Sequence, residues 1–382
     1  MKKNEIIFNK YHIKNNELSN FYKSIQNKKI SANNIYQKKC QKLISKFFKF
    51  NDNFITHSCT SALEAAALII DIKKGDEVII PSFNFVTSAS VFANLGAKIN
   101  FIDSNTKTYG ASYDSIKKKI TPKTKAVVIM HYAGVGSEIE EIQKLCRKNK
   151  IYLIEDAAQC IGSKYKNKFL GGFGDLSAFS FHETKNISCG EGGLLVVNNK
   201  QLLERAKIVC LKGTNRINFE EKKLNYYTWI DKGFSALASD ITCSILFDQL
   251  LLYKKKNDFR KKIWINYYNQ ISNLKHKNFF VVPDLNLFKN SNYHIFYLIF
   301  KLNNTREKFI SFMKSKNIKC VFHYLPLHKS PAGKKFALNF SENLKNAQKI
   351  SDTIVRLPLH NHLNISEQNM IIKYIRLFIK KN

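Results

Sequence analysis

No stretch of the 382-residue chain approaches eighteen uninterrupted apolar residues, so a membrane-spanning helix is not expected. The opening run Met1-Lys2-Lys3-Asn4-Glu5 lacks the apolar core of a secretory signal, which makes the cytoplasm the expected location. Acidic residues are scarce: 29 Asp and Glu stand against 62 Lys and Arg, a formal charge of +33. That surplus invites a nucleic-acid reading, because cations neutralise phosphates. The lysines are spread along the whole chain, however, and no helix-turn-helix, zinc or RNA-recognition signature accompanies them. A bias toward Lys, Asn and Ile explains the charge, and no nucleic-acid partner is expected. A basic surface still attracts anions such as nucleotide diphosphates. The eight cysteines include no Cys-x-x-Cys pair, which argues against a metal site or a disulfide framework and for reduced thiols. No Gly-x-Gly-x-x-Gly follows the first strand pattern, so the common dinucleotide signature is missing.

What is present is an alternation of helical patterns and short apolar runs over residues 55–200. Ser61–Ile70 (SALEAAALII) is a strong helix former, with Gly75 as its expected end. Strands are expected at 77–81, 98–103, 126–131, 151–155, 177–181 and 193–197. Several are continuous Val- and Ile-rich runs, the mark of strands buried on both faces of a largely parallel sheet. The intervening stretch 138–150 reads as a crossover helix. In such an open α/β domain the ligand lies beyond the carboxyl ends of the strands. After Asp240 long helical patterns take over at 240–272. Strands near 293–302 and 318–323 and helices near 341–353 and 366–379 follow. The expected division is a large domain over 1–254, onto which a smaller α+β domain over 255–382 is added.

Residues of chemical interest fall at or just after those strand ends. Lys185 follows an apolar strand and precedes the turn Cys189-Gly190-Glu191-Gly192-Gly193, which is no place for a solvated lysine. Asp156 ends the strand pattern at 151–155, where an acid suits either a helix N-cap or the floor of the crevice. Cys59-Thr60-Ser61 precedes a helix expected to begin at Ala62, and free amides and hydroxyls at a helix N-terminus make an anion site. Phe85, in Pro-Ser-Phe-Asn-Phe, would cover a flat ring. A lysine, an acid, an anion site and an aromatic cover are what an aldehyde coenzyme with a pyridine ring and a phosphate requires.

Six motifs occurring in order resemble the DegT/StrS family of nucleotide-sugar aminotransferases. They are Ser58-Cys59-Thr60-Ser61-Ala62-Leu63, Gly75-Asp76-Glu77-Val78, Pro81-Ser82, His131-Tyr132-Ala133-Gly134, Glu155-Asp156-Ala157-Ala158-Gln159 and Ser180-Phe181-His182-x-x-Lys185-Asn186. The resemblance implies the aspartate-aminotransferase fold (fold type I), pyridoxal 5'-phosphate as coenzyme, and a homodimer. By the same resemblance Lys185 is the Schiff-base lysine, Asp156 the partner of the pyridinium and Gln159 that of the phenolic oxygen. Thr60, Ser61 and Ser180 would bind the phosphate, and Phe85 would stack on the ring. His323 and His328, in His-Tyr-Leu-Pro-Leu-His, resemble the sugar-nucleotide contact region. Further strings, among them Lys212-Gly213-Thr214-Asn215-Arg216 and Tyr227-Thr228-Trp229, resemble one branch of the family. That branch moves the amino group of L-glutamate to C4 of dTDP-4-dehydro-6-deoxyglucose for surface polysaccharides. One departure stands out. Where many members carry Asn-x-Arg, with the Asn reaching the neighbouring subunit's phosphate, this chain has Ser235 and Leu237.

Overall fold

The computed structural model describes residues 5–11, 13, 18–274, 279–302 and 304–381. The first strands are β1 (Asn53–Thr56), β2 (Glu77–Pro81), β3 (Lys98–Ile102), β4 (Thr124–Met130) and β5 (Tyr152–Asp156). A small hairpin, β6 (Lys164–Tyr165) and β7 (Lys168–Phe169), separates them from β8 (Leu176–Ser180) and β9 (Gly193–Val197). The main sheet has the order β1-β9-β8-β5-β4-β2-β3. Its block from β8 to β3 is parallel, whereas β9 pairs antiparallel with both β8 and the edge strand β1.

Burial explains the continuous apolar runs. Along β4, Ala126, Val128 and Met130 join one hydrophobic cluster while Val127 and Ile129 join another on the opposite face. Each fully buried aliphatic side chain of this kind contributes about 1.5–3 kcal/mol by leaving water. The helix Cys59–Ile69 covers the first face with Ala62, Ala66 and Ile69. Helices Ile139–Lys148 and Asp240–Leu251 cover the second with Ile142 and Leu246.

The C-terminal residues build an antiparallel sheet of β10 (Phe280–Val281), β11 (Tyr297–Phe300) and β12 (Ile354–Arg356). Near the other terminus, Ile6 pairs in parallel with Ile318, the Ile6 amide lying 2.8 Å from the Asn317 carbonyl. The expected division at 254/255 falls in the first turn of the helix Tyr253–Ser272. Trp264 and Tyr267 of that helix share one cluster with Val78 of the main sheet and Val355 of the small one.

Some expectations change. The first helix stops at Ile69, and Gly75 instead takes φ 93° in the turn that enters β2. The long helical stretch breaks at Leu252, between Asp240–Leu251 and Tyr253–Ser272. Residues 318–323 make only single bridges, Ile318 to Ile6 and Val321 to Arg356, and no continuous strand. The large domain thus carries a mostly parallel sheet, and the C-terminal part is α+β, as expected.

Candidate active site

Alternation along β5 sends its last two acids to opposite faces of the sheet, which separates their duties. Glu155, wholly buried, lies 2.7 Å from His131 Nε2 and accepts hydrogen bonds from the amides of Gly171, Phe173 and Gly174. Burial alone would raise its carboxyl above the ordinary 4.5, but His131 and the Gly174 and Gly171 amides outweigh it and hold the group lower. Glu155 therefore pins the 171–174 loop under the sheet and takes no part in the cleft. Its stabilisation is complete above the unfolded value of 4.5 and disappears as pH falls through the lower folded value. Glu155→Ala should cost about 3–5 kcal/mol, because donors that are now paired would be left buried. A urea midpoint measured at neutral pH checks this, and the difference from wild type should shrink as the pH is taken below 4.5.

Asp156 faces a cleft of about 990 Å³ at the carboxyl ends of β5 and β8. Its carboxylate accepts from the Ser88 hydroxyl and, at 3.2 Å, from the Ala158 amide. Thr60, Phe85, Gln159, Ser180, Lys185 and His323 line the same cleft. Segments separated by more than two hundred positions thus converge where strand ends place them.

At the N-terminus of the helix Cys59–Ile69, Ser58 caps through its side chain, which accepts from the Ser61 amide at 3.0 Å. The amides of Cys59 and Thr60 have no acceptor among the described residues. This terminus is held against β9 by Gly193, where an added Cβ would fall 2.3 Å from the Ser58 carbonyl. Free amides beside the Thr60 and Ser180 hydroxyls are a donor set for a phosphate. Ser61 sits differently from what was expected. It is not among the residues lining the cleft, and its hydroxyl lies 3.2 Å from Ser58 Oγ on the capping side.

Lys185 makes no ion pair among the described residues. It faces the cleft and so keeps some accessible surface, yet enough protein surrounds it to matter electrostatically. Burial pushes its amine below the ordinary value and Arg356 adds to the effect, while Cys59 and Asp156 oppose it. A lysine with a lowered value holds more of the neutral amine, the form that attacks an aldehyde and accepts a proton.

Gln159 is already engaged at both ends, accepting from the Ala133 amide and donating to the Tyr324 hydroxyl, each at 2.7 Å. One N–H of its amide remains for a ligand oxygen. Phe85 is 51% exposed, and its ring centroid lies 6.1 Å from that of Tyr324. His323 stacks on Tyr324 at 3.8 Å, and its Nδ1 lies 2.7 Å from the Tyr132 hydroxyl. Burial first, then Arg356 and Lys185, push His323 well below its ordinary value. A neutral ring carries one N–H, and its Nδ1 shares a hydrogen bond with the Tyr132 hydroxyl. His328 requires a correction. It is buried away from the cleft, with Nδ1 2.6 Å from Ser82 Oγ, so it ties the 327–329 turn to the end of β2.

Other residues that line the cleft carried no motif of their own in the sequence: Arg260, His294 and Arg356. Only their position in the folded C-terminal part brings them to Lys185. Tyr324 lay inside a motif but had been given no role.

Residues 11–376 match the model of the DegT/DnrJ/EryC1/StrS aminotransferase family. The chain belongs to that family. It is an aminotransferase, and its coenzyme is pyridoxal 5'-phosphate. A GDP-perosamine synthase from Escherichia coli O157:H7 is 32% identical over 278 residues, 71% of each chain. A dTDP-4-dehydro-2,3,6-trideoxy-D-glucose 4-aminotransferase from Saccharopolyspora spinosa is 28% identical over 316 residues, 81% of this chain and 80% of the relative. Among solved structures, Spr1654 of Streptococcus pneumoniae in its PLP form superposes with a TM-score of 0.89 at 22% identity, covering 99% of each chain. That last likeness establishes the aspartate-aminotransferase type of fold. Among the described residues of this family member, no helix is long and apolar enough to cross a membrane.

Proposed function

We propose that this aminotransferase moves the amino group of L-glutamate to the keto carbon of a nucleotide-linked sugar, with Lys185 as the coenzyme-bearing and proton-moving residue. The observation that carries the reading is Lys185 itself: a lysine without an ion pair among the described residues, its amine held low by burial, in one cleft with Asp156 and the Thr60–Ser180 anion site. The donor set fits pyridoxal phosphate. Thr60, Ser180 and the free amides of Cys59 and Thr60 would hold its phosphate, and Asp156 its ring nitrogen. Gln159 would meet its phenolic oxygen and Phe85 would cover the ring. When bound, the coenzyme supplies an electron sink beside the carbon that carries the amino group. The protein's part is to hold and move protons. Lys185, once free, takes the proton from the donor's α-carbon and returns it during product formation. Asp156, which accepts from the Ser88 hydroxyl, would set its carboxylate against the ring nitrogen. His323, neutral and held by Tyr132, would turn its ring toward the sugar in the same cleft.

For the substrate we propose dTDP-4-dehydro-6-deoxyglucose, aminated at C4 to dTDP-4-amino-4,6-dideoxygalactose. Support comes from the motif strings around Lys185, Trp229 and His323, and from a relative named as a 4-aminotransferase of a dTDP sugar. A panel of dTDP-, UDP- and GDP-linked 4-keto sugars should be incubated with glutamate and the products identified by mass spectrometry and NMR. An axial amine on the dTDP sugar is expected. An equatorial amine, or turnover of a GDP sugar alone, overturns the substrate assignment, and no amination of any sugar overturns the whole reading.

A homodimer is part of the proposal. It is supported by aromatic residues that a monomer leaves in water, Tyr226 at 77% and Trp229 at 79% exposure, beside Tyr227 and Ile230. Light scattering should give twice the 44.2 kDa chain mass. The double substitution of Tyr226 and Trp229 by Asp should shift it toward the monomer.

A further inference from the structure

Gln159 is held at its backbone and at both ends of its side chain. Its carbonyl accepts from Asn292 Nδ2 at 2.9 Å, and its Oε1 accepts from the Ala133 amide at 2.7 Å. A backbone amide can only donate, so the side chain has one orientation: oxygen toward Ala133, nitrogen toward the Tyr324 hydroxyl 2.7 Å away. Tyr324 is therefore the acceptor in that bond. Burial first, then Asp156, raise its hydroxyl above the ordinary 10, so it stays neutral. Gln159 is the only described residue to which this hydroxyl is hydrogen-bonded.

The ring that carries the hydroxyl is itself fixed. His323 stacks on it at 3.8 Å with the planes 29° apart, and Phe83 meets it at 5.5 Å and 62°. His323 Nδ1 lies 2.7 Å from the Tyr132 hydroxyl, and Tyr132 is followed by Ala133. The contacts thus close on themselves, from Tyr132 through His323, Tyr324 and Gln159 to Ala133. Ala133 takes φ 56° in the turn Tyr132–Gly134, a left-handed conformation that a β-carbon disfavours. Such strain persists where the surroundings over-determine it, and here it stands at the amide that orients Gln159. Packing alone would be served as well by a phenylalanine at 324. The hydroxyl adds only its hold on Gln159, and both side chains line the cleft.

We infer that Tyr324 is a positioning residue: by accepting from Gln159 it aims the second N–H of that amide at the coenzyme's phenolic oxygen. This rests on the reading that Gln159 meets that oxygen, and it adds a residue of the C-terminal part. The consequence falls on a proton. Negative charge on the phenolic oxygen helps to keep the adjacent Schiff-base nitrogen of Lys185 protonated. A donor fixed on the oxygen draws off part of that charge, so the nitrogen releases its proton at lower pH. Without the Tyr324 hydroxyl the Gln159 amide loses one anchor, its bond to the oxygen weakens, and the release moves to higher pH.

The test is a pH titration of the visible absorbance band of the holoenzyme, without substrates. In Tyr324→Phe the midpoint should rise by about half to one pH unit, the worth of one neutral hydrogen bond. The ring and its stack on His323 remain, so the coenzyme-free variant should melt within a few degrees of wild type. A merely structural role would do the reverse, lowering the melting temperature and leaving the midpoint in place. Gln159→Ala should raise the midpoint at least as far. The double variant should go no further than Gln159→Ala alone, because Tyr324 acts through Gln159. Shifts that add would overturn the positioning role and give Tyr324 a coenzyme contact of its own. A midpoint that stays or falls in Tyr324→Phe while Gln159→Ala raises it would overturn the inference alone. No shift in either variant would overturn the reading of Gln159 and the inference with it. Amination of sugars by wild type is measured separately and bears on the proposed substrate, not on Tyr324.

Discussion

Lys185→Ala is expected to abolish covalent attachment of pyridoxal phosphate and to lower transamination by about 10²–10⁴-fold, the scale of a lost acid–base group. The visible absorbance of the purified holoprotein should vanish. Borohydride reduction followed by mass spectrometry should find the coenzyme adduct on the peptide carrying Lys185 in wild type only. The physical reason lies in the site. A lysine amine in water is almost wholly protonated at neutral pH and cannot attack an aldehyde. Here burial lowers the value, with Arg356 helping, against the opposing pull of Cys59 and Asp156. Stability should move in the other direction from activity. Lys185 has no ion-pair partner among the described residues to lose, so the coenzyme-free variant should melt no lower than coenzyme-free wild type. An adduct that persists in Lys185→Ala would show that another of the chain's lysines carries the coenzyme.

Much of this site was legible in the sequence because parallel strands report their own burial. The run at 77–81 coincides with β2, and the residues that follow the parallel strands fall at one edge of the sheet. Lys185, Asp156, Thr60, Ser180, Gln159 and Phe85 meet in the cleft for that reason, and the C-terminal part brings His323 to them. What could not be read was side-chain direction and long-range pairing. His328 and His323 sit in one short motif, yet the turn at 327–329 carries His328 to Ser82. Ser61 follows Thr60 directly, but a helix rotates each successive residue by about 100°, which takes Ser61 off the cleft. β1 was missed because Asn53–Thr56 is four residues long and polar at both ends; it is held through pairing with β9. Arg260 and Arg356 were two among 62 basic residues, and only the fold distinguishes them. Glu155 and Asp156 are consecutive acids whose separate fates follow from strand alternation, which becomes visible once the faces of β5 are assigned.

Asp156→Asn is the second large effect, and it should be opposite in kind to Lys185→Ala. The substitution keeps the shape, and the amide oxygen can still accept from the Ala158 amide. Coenzyme should therefore remain attached to Lys185, with a visible band close to that of wild type. What disappears, on the proposed reading, is the negative charge that would face the ring nitrogen. Without it the bound coenzyme would be a weaker electron sink. The rate of the glutamate half-reaction should fall by about 10²–10³-fold, the usual cost of removing one preorganised electrostatic group from a cleft. Ser88→Ala makes the graded control, because it leaves the charge and removes one hydrogen bond to it. A bond to a charged group is worth about 1.5–3 kcal/mol, so its loss should slow the reaction by about 10–100-fold at most. The order wild type, Ser88→Ala, Asp156→Asn in stopped-flow rate is the expected result, with all three retaining coenzyme. Asp156→Asn within about tenfold of wild type would assign the carboxylate to capping the 157–159 turn, the alternative duty of an Asp at a strand end.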